Sequence, residues 1–164
     1  MKNKLGKLAA ATAMFFVVAG ASGHGDETRR SPGEPEKDVV EKPFGRSADA
    51  KKATRTIRVD MSDRMRFTPE VLSIKRGETV RFLVKNSGKT MHEMVLGTMQ
   101  ELKEHAELMR KFPAMEHDEP YMAHVKPGNT EALAWQFTKT GEFFYGCLVP
   151  GHFEAGMLGR IVVR

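Results

Sequence analysis

One cysteine, Cys147, stands in a chain of 164 residues with eleven methionines and six histidines. It begins the stretch C-L-V-P-G-H-F-E-A-G-M, in which His152 and Met157 follow at four-residue gaps. A lone cysteine is by default a small buried core residue. Here the neighbours point to other chemistry. Thiolate, imidazole and thioether are soft or borderline metal donors, and V-P-G and E-A-G between them force turns. One loop therefore presents all three around one point. A fourth donor must come from another strand end. His92 is the best placed, because it follows N-S-G-K-T-M (86–91) and precedes a short apolar run. Thiolate and thioether favour copper(I), imidazole suits both copper states, and two histidines with a cysteine and a weak axial methionine form the blue-copper set. A structural zinc site takes four strong donors, so methionine in fourth place argues against zinc.

Such a set needs a rigid frame, and the pattern from Thr54 onward supplies one. Short β-rich segments recur at 54–60, 70–75, 78–86, 93–97, 131–138, 142–147 and 158–163. Val80, Phe82 and Val84 share one face, as do Leu133, Trp135 and Phe137, and Phe143, Tyr145 and Cys147. This alternation with Gly and Asn turns predicts an all-β sandwich. One insert breaks it. Residues 98–112 carry helical spacing at Leu102, Ala106 and Met109, with Thr98 and Glu101 as a capping box and Pro113 as the stop. Residues 113–129 then read as loop. His105 falls on the Leu102–Met109–Phe112 stripe, which expects it packed or half-buried.

The N-terminus reads as an address. Lys2, Lys4 and Lys7 precede 14 apolar or small residues, Leu8 to Ala21, and small residues cluster at Ala19, Ala21 and Gly23. This is the layout of a secretory signal over 1–23, short for a membrane span of roughly 20 residues. Cleavage after Gly23 exposes His24, whose amine and imidazole can chelate copper. Removing the three lysines of residues 1–23 takes the formal charge from +5 to +2. With no basic stripe interleaved with aromatics, nucleic-acid binding is excluded. Export implies an oxidising compartment, the periplasm, where one cysteine can form no internal disulfide. Residues 24–53 mix charges of both signs with Pro and Gly, and predict a disordered or loosely docked arm. The domain proper is then 54–164, with its insert at 98–129.

With these residues in view, the region from Thr54 to Arg164 resembles the cupredoxins, the blue-copper family, and His92, Cys147, His152 and Met157 match its ligand pattern. The closer resemblance is to the periplasmic copper-tolerance cupredoxins of Gram-negative bacteria, the CopI type. M-R-F-T-P (65–69), R-G-E-T-V-R-F (76–82), K-N-S-G (85–88), H-E-M-V-L-G-T (92–98), E-L-K-E-H (101–105), W-Q-F-T (135–138) and P-G-H-F-E-A-G-M (150–157) carry it. The resemblance implies a cupredoxin-like Greek-key β-sandwich, one type 1 copper per domain, and a role in surviving copper excess. Asn86 resembles the polar residue that often sits near the thiolate of such sites. Glu93 is a departure, since many electron carriers have a small polar residue, often Asn, after the first histidine.

Two functions use the same four donors. One is copper tolerance, by binding, buffering or redox handling of periplasmic copper, with a copper-handling or redox protein as partner. The other is a soluble electron carrier between respiratory partners. The insert favours the first, because a carrier needs an exposed apolar patch around its solvent-facing histidine. No paired His-x-His motif offers a trinuclear copper site, and no Ser-His-Asp, carboxylate-pair or phosphate-loop signature suggests an enzyme. Methionines crowd the insert, and Met115, His117, Met122 and His124 are the candidates there for a second, soft copper(I) site. The alternative is that methionine fills irregular gaps in packing.

Overall fold

The computed structural model describes residues 39–113, 115 and 117–164. The expected export segment, His24 and the first part of the expected arm lie outside the described residues. Among the described residues eleven strands run in chain order: β1 (Glu41–Lys42), β2 (Gly45–Ser47), β3 (Arg55–Ser62), β4 (Arg66–Thr68), β5 (Val71–Ile74), β6 (Thr79–Asn86), β7 (His92–Gly97), β8 (Met122–Val125), β9 (Thr130–Phe137), β10 (Gly141–Gly146) and β11 (Leu158–Val163). One helix, α1 (Met99–Lys111), sits between β7 and β8.

The strands form two mixed sheets. One has the order β1-β2-β9-β6-β3-β4, the other β5-β11-β10-β7-β8. The alternation in the sequence sets which side chains face inward. Ile57, Val59 and Met61 of β3, Val80, Phe82 and Val84 of β6, and Leu133, Trp135 and Phe137 of β9 form one wall of the core. Met94 and Leu96 of β7, Phe143 and Tyr145 of β10, and Ile161 and Val163 of β11 form the other. Each such side chain, fully buried, contributes about 1.5–3 kcal/mol.

All six residues of β7 are buried, and the insert explains why. Met94 and Leu96 face the sandwich core, while Val95 on the opposite face packs with Leu102, Ala106 and Met109 of α1. The helix therefore covers the outer face of this sheet. It starts as expected: the Thr98 hydroxyl accepts from Glu101 N–H, and the Glu101 carboxylate accepts from Thr98 N–H. Leu102, Ala106 and Met109 are buried, but Phe112, expected on the same stripe, is exposed. It lies at the C-cap with non-helical backbone angles, so the helical period no longer applies to it.

Two expectations are corrected. The described part of the expected arm belongs to the sheet: β2 pairs with β9, and Phe44 is 0 % exposed, its ring 5.1 Å from that of Trp135. Lys42 ties the same segment to the helix through Glu101, at 3.2 Å. One aromatic residue in a pre-formed slot suffices where composition alone shows only charge and proline. Residues 113–129, expected as loop, contain β8, which pairs antiparallel with β7. Four residues are too few for a clear period, and β8 is held by its neighbour.

Candidate metal centre

The centre lies at one end of the sandwich, where the β10–β11 hairpin opens into the loop that carries Cys147, His152 and Met157. Gly146 pairs with Leu158 at the base of that loop and with Val95 of β7. Within the loop, Cys147 N–H donates to Met157 O (3.1 Å) and Met157 N–H donates to His152 O (3.0 Å). Two turns close it: His152 N–H donates to Val149 O and Gly156 N–H to Phe153 O, both at 2.9 Å. Gly151 and Gly156 both take φ +87°, a conformation that favours glycine. Arg66, from β4, holds the loop from outside by donating to Ala155 O at 3.1 Å.

His92 approaches from β7. Cys147 Sγ lies 3.3 Å from His152 Nδ1 and 3.9 Å from His92 Nδ1. The three donor atoms all lie within 4.8 Å of one another. Cys147 and His92 are 0 % exposed, while His152 is half-buried and faces the surface. Met157 is fully buried within the same core cluster as Cys147, and its backbone is tied to both loop donors.

Each donor is oriented by its surroundings. His92 Nε2 lies 3.1 Å from Asp63 Oδ1. A carboxylate only accepts, so Nε2 carries the proton and Nδ1 turns its lone pair toward Cys147. Asp63 also accepts from Lys89 N–H (2.8 Å) and the Thr90 hydroxyl (2.9 Å). Those bonds, with His92, hold its carboxyl well below the usual carboxylate range. Burial and neighbouring His92 lower His152, which favours the neutral, ligating imidazole. Burial pushes the Cys147 thiol up to about 12, although Glu93 N–H donates to its sulfur at 3.4 Å. A thiol in this state keeps its proton until a cation takes its place.

This donor set fits one copper ion. A metal sits about 2.0–2.3 Å from imidazole nitrogen and thiolate sulfur, so donors around one ion lie within roughly 4.5 Å of each other. A buried sulfur flanked by two lone pairs, in apolar surroundings, suits a soft ion rather than a hard one.

Glu93 and Asn86 do work that the sequence did not reveal. Glu93 is 3 % exposed. Its Oε1 accepts from Leu148 N–H and its Oε2 meets His124 Nδ1, both at 2.9 Å. It thus clamps the loop residue after Cys147. Asn86, expected beside the thiolate, instead donates to Thr90 O and Val125 O and accepts from Gly88 N–H, all at 2.8 Å. It closes the turn that delivers His92. Asp63 was not singled out by sequence reasoning; it lies in a turn 29 positions before its partner, and a surface-type Asp gives no local signal.

The expected second cluster is arranged differently. Met115 is 47 % exposed, and Met122 is buried among Val95, Leu102, Ala106 and Met109. His117 instead meets His105, with 2.7 Å between their Nε2 atoms. His124 lies between two acceptors, Glu93 Oε2 and His117 O (2.9 Å from Nε2). Both its nitrogens must then donate, and its hydrogen bond to Glu93 raises its pKa above the ordinary value.

Comparison with known proteins accords with this architecture. Residues 53–164 match the family model for copper-binding proteins of the plastocyanin/azurin family. The chain is 46 % identical to the copper-resistant cuproprotein CopI of Rubrivivax gelatinosus, over 100 % of both chains. It is 34 % identical to the copper-resistant cuproprotein CopI of Pseudomonas aeruginosa, over 74 % of this chain and 82 % of that one. Among solved structures, auracyanin B superposes with a TM-score of 0.59 at 20 % identity, over 76 % of this chain and 99 % of that one. That likeness concerns the fold.

Proposed function

The chain belongs to the plastocyanin/azurin family of copper-binding proteins, and from that premise we propose that it binds one copper ion through His92, Cys147, His152 and Met157 and serves copper resistance in the periplasm. The observation that carries the reading is the meeting of Cys147 Sγ with two imidazole Nδ1 atoms at a buried sandwich end. The copper-resistance role is supported by the names of relatives that align over most or all of their length. Periplasmic residence is supported by the secretory layout of residues 1–23, and among the described residues no helix is long and apolar enough to cross a membrane.

Bound copper supplies one-electron exchange between two oxidation states. The residues of this chain do the rest. Cys147 gives up its proton as the cation enters, and Glu93 N–H then stabilises the thiolate. Asp63 fixes His92 in the tautomer that ligates through Nδ1. The core around Cys147 and Met157 excludes water. Half-buried His152 provides the way in and out for metal or electrons. A frame whose donors already lie together suits binding, buffering or redox handling of copper rather than turnover of an organic substrate.

An electron carrier would use the same donors. Deleting the gene distinguishes the two. Cells without it should lose tolerance to added copper while respiring normally at low copper. Normal copper tolerance with impaired respiration would favour the carrier.

A further inference from the structure

We infer that His105 and His117 form a second copper(I) site, on the outer face of the sandwich beneath the helical insert. The pair is separate from the Cys147 cluster. His105 comes from the middle of α1 and His117 from the segment that follows it. Their Nε2 atoms lie 2.7 Å apart and their ring centroids 4.7 Å apart. Two imidazoles aimed nitrogen to nitrogen can share only one proton, and His117 Nδ1 is buried with no hydrogen-bond partner. The arrangement leaves a donor pair weakly satisfied by the protein alone, at a place where a polar group without a partner is costly.

The surroundings select for a monovalent, soft ion. His105 is half-buried, and burial together with His117 lowers its pKa, which favours the neutral, ligating imidazole. The nearest buried carboxylate, Glu93, is already occupied by His124 and Leu148 N–H. Among the described residues Glu93 is the only buried carboxylate, so no second buried anion stands beside the pair to balance a divalent ion. Two imidazole nitrogens at low coordination number suit copper(I). An ion held by both would sit about 2 Å from each. A two-coordinate ion holds its donors nearly opposite each other, so the nitrogens must part from 2.7 Å to about 4 Å, by rotation of the two half-buried side chains.

Position and access are also built in. His124 Nε2–H donates to His117 O, so the Glu93–His124 pair anchors the backbone that carries His117. A cleft of about 210 Å³ opens at His105, lined by Lys42, Glu101, Glu104, Leu108 and Tyr121 among others. Of the residues that composition suggested for such a site, His117 meets His105, while His124 is held by Glu93.

The test is an anaerobic copper(I) titration of the purified Cys147→Ser protein against a chromophoric copper(I) chelator. One equivalent should remain bound without Cys147, and adding His105→Ala or His117→Ala should weaken it at least tenfold. His105→Met, which substitutes a thioether, should restore binding, so loss of folding is distinguishable from loss of a ligand. In the single Cys147→Ser variant, the imidazole NMR signals of His105 and His117 should shift with copper(I). Absence of binding in Cys147→Ser, or binding that neither histidine substitution changes, would overturn the site. Failure of the Cys147 centre itself would show separately, as a colourless copper(II) form of the unaltered protein.

Discussion

Glu93 and His124 are direct partners across β7 and β8, and the carboxylate of one meets the imidazole of the other at 2.9 Å. The strand period turns both toward the outer face, under the insert, away from His92 on the core side. Yet Glu93 also reaches the ligand loop, through Leu148 N–H, and its own N–H reaches Cys147 Sγ. One residue thus joins the insert side of the sheet to the metal centre.

Glu93→Gln keeps the shape of this clamp and removes its charge. The expected outcome is a copper site that still forms, with a more positive midpoint potential, because a buried negative charge beside it is gone. Stability should fall by about 1–3 kcal/mol, the cost of weakening a buried charged hydrogen bond. His124, whose pKa Glu93 raises, should titrate lower. Voltammetry, denaturant melts and histidine NMR read the three effects.

Asp63→Asn tests the orientation of His92. The carboxylate fixes the proton on Nε2, and an amide can present either end. Copper affinity should drop ten- to a hundredfold, the usual effect of losing a partner behind a metal-ligating histidine. Competition with a copper chelator measures it. The absorption bands should persist, since no ligand is removed.

Much of this centre was legible in the sequence, and the reason is local. Cys147, His152 and Met157 lie in one loop, so their spacing is also their geometry, and the capping box of α1 spans only Thr98 to Glu101. The alternating strands likewise announced their inward faces. What was hidden depends on distant partners. Asp63 meets His92 only because the fold places the turn after β3 beside the start of β7. Phe44 is a lone aromatic in a charged stretch, and its slot against Trp135 exists only in three dimensions. His105 and His117 face each other from α1 and from the segment beyond its end, a pairing that no periodicity encodes.

Alkaline pH should destabilise the copper-free protein. Burial pushes the Cys147 thiol up to about 12 and raises the Tyr145 hydroxyl, which donates to Pro69 O at 2.5 Å. Both groups lose their protons first in the unfolded chain, where the ordinary values are 9.0 and 10.0. The unfolded state then binds fewer protons, so stability is intact below about pH 9 and declines above it, by at most about 1.4 kcal/mol per pH unit for each group. Copper-loaded protein already holds Cys147 as thiolate, so its decline should lack that share. Urea midpoints between pH 8 and 11, with and without copper, provide the comparison.

The central claim is that Cys147 binds copper as a thiolate, flanked by His92 and His152. The visible absorption spectrum of the copper(II) protein tests it most directly. The unaltered protein should show an intense band from thiolate-to-copper charge transfer, and Cys147→Ser should lose it while retaining the folded sandwich. An equally intense band in Cys147→Ser, or none in the unaltered protein loaded with copper(II), would contradict the account.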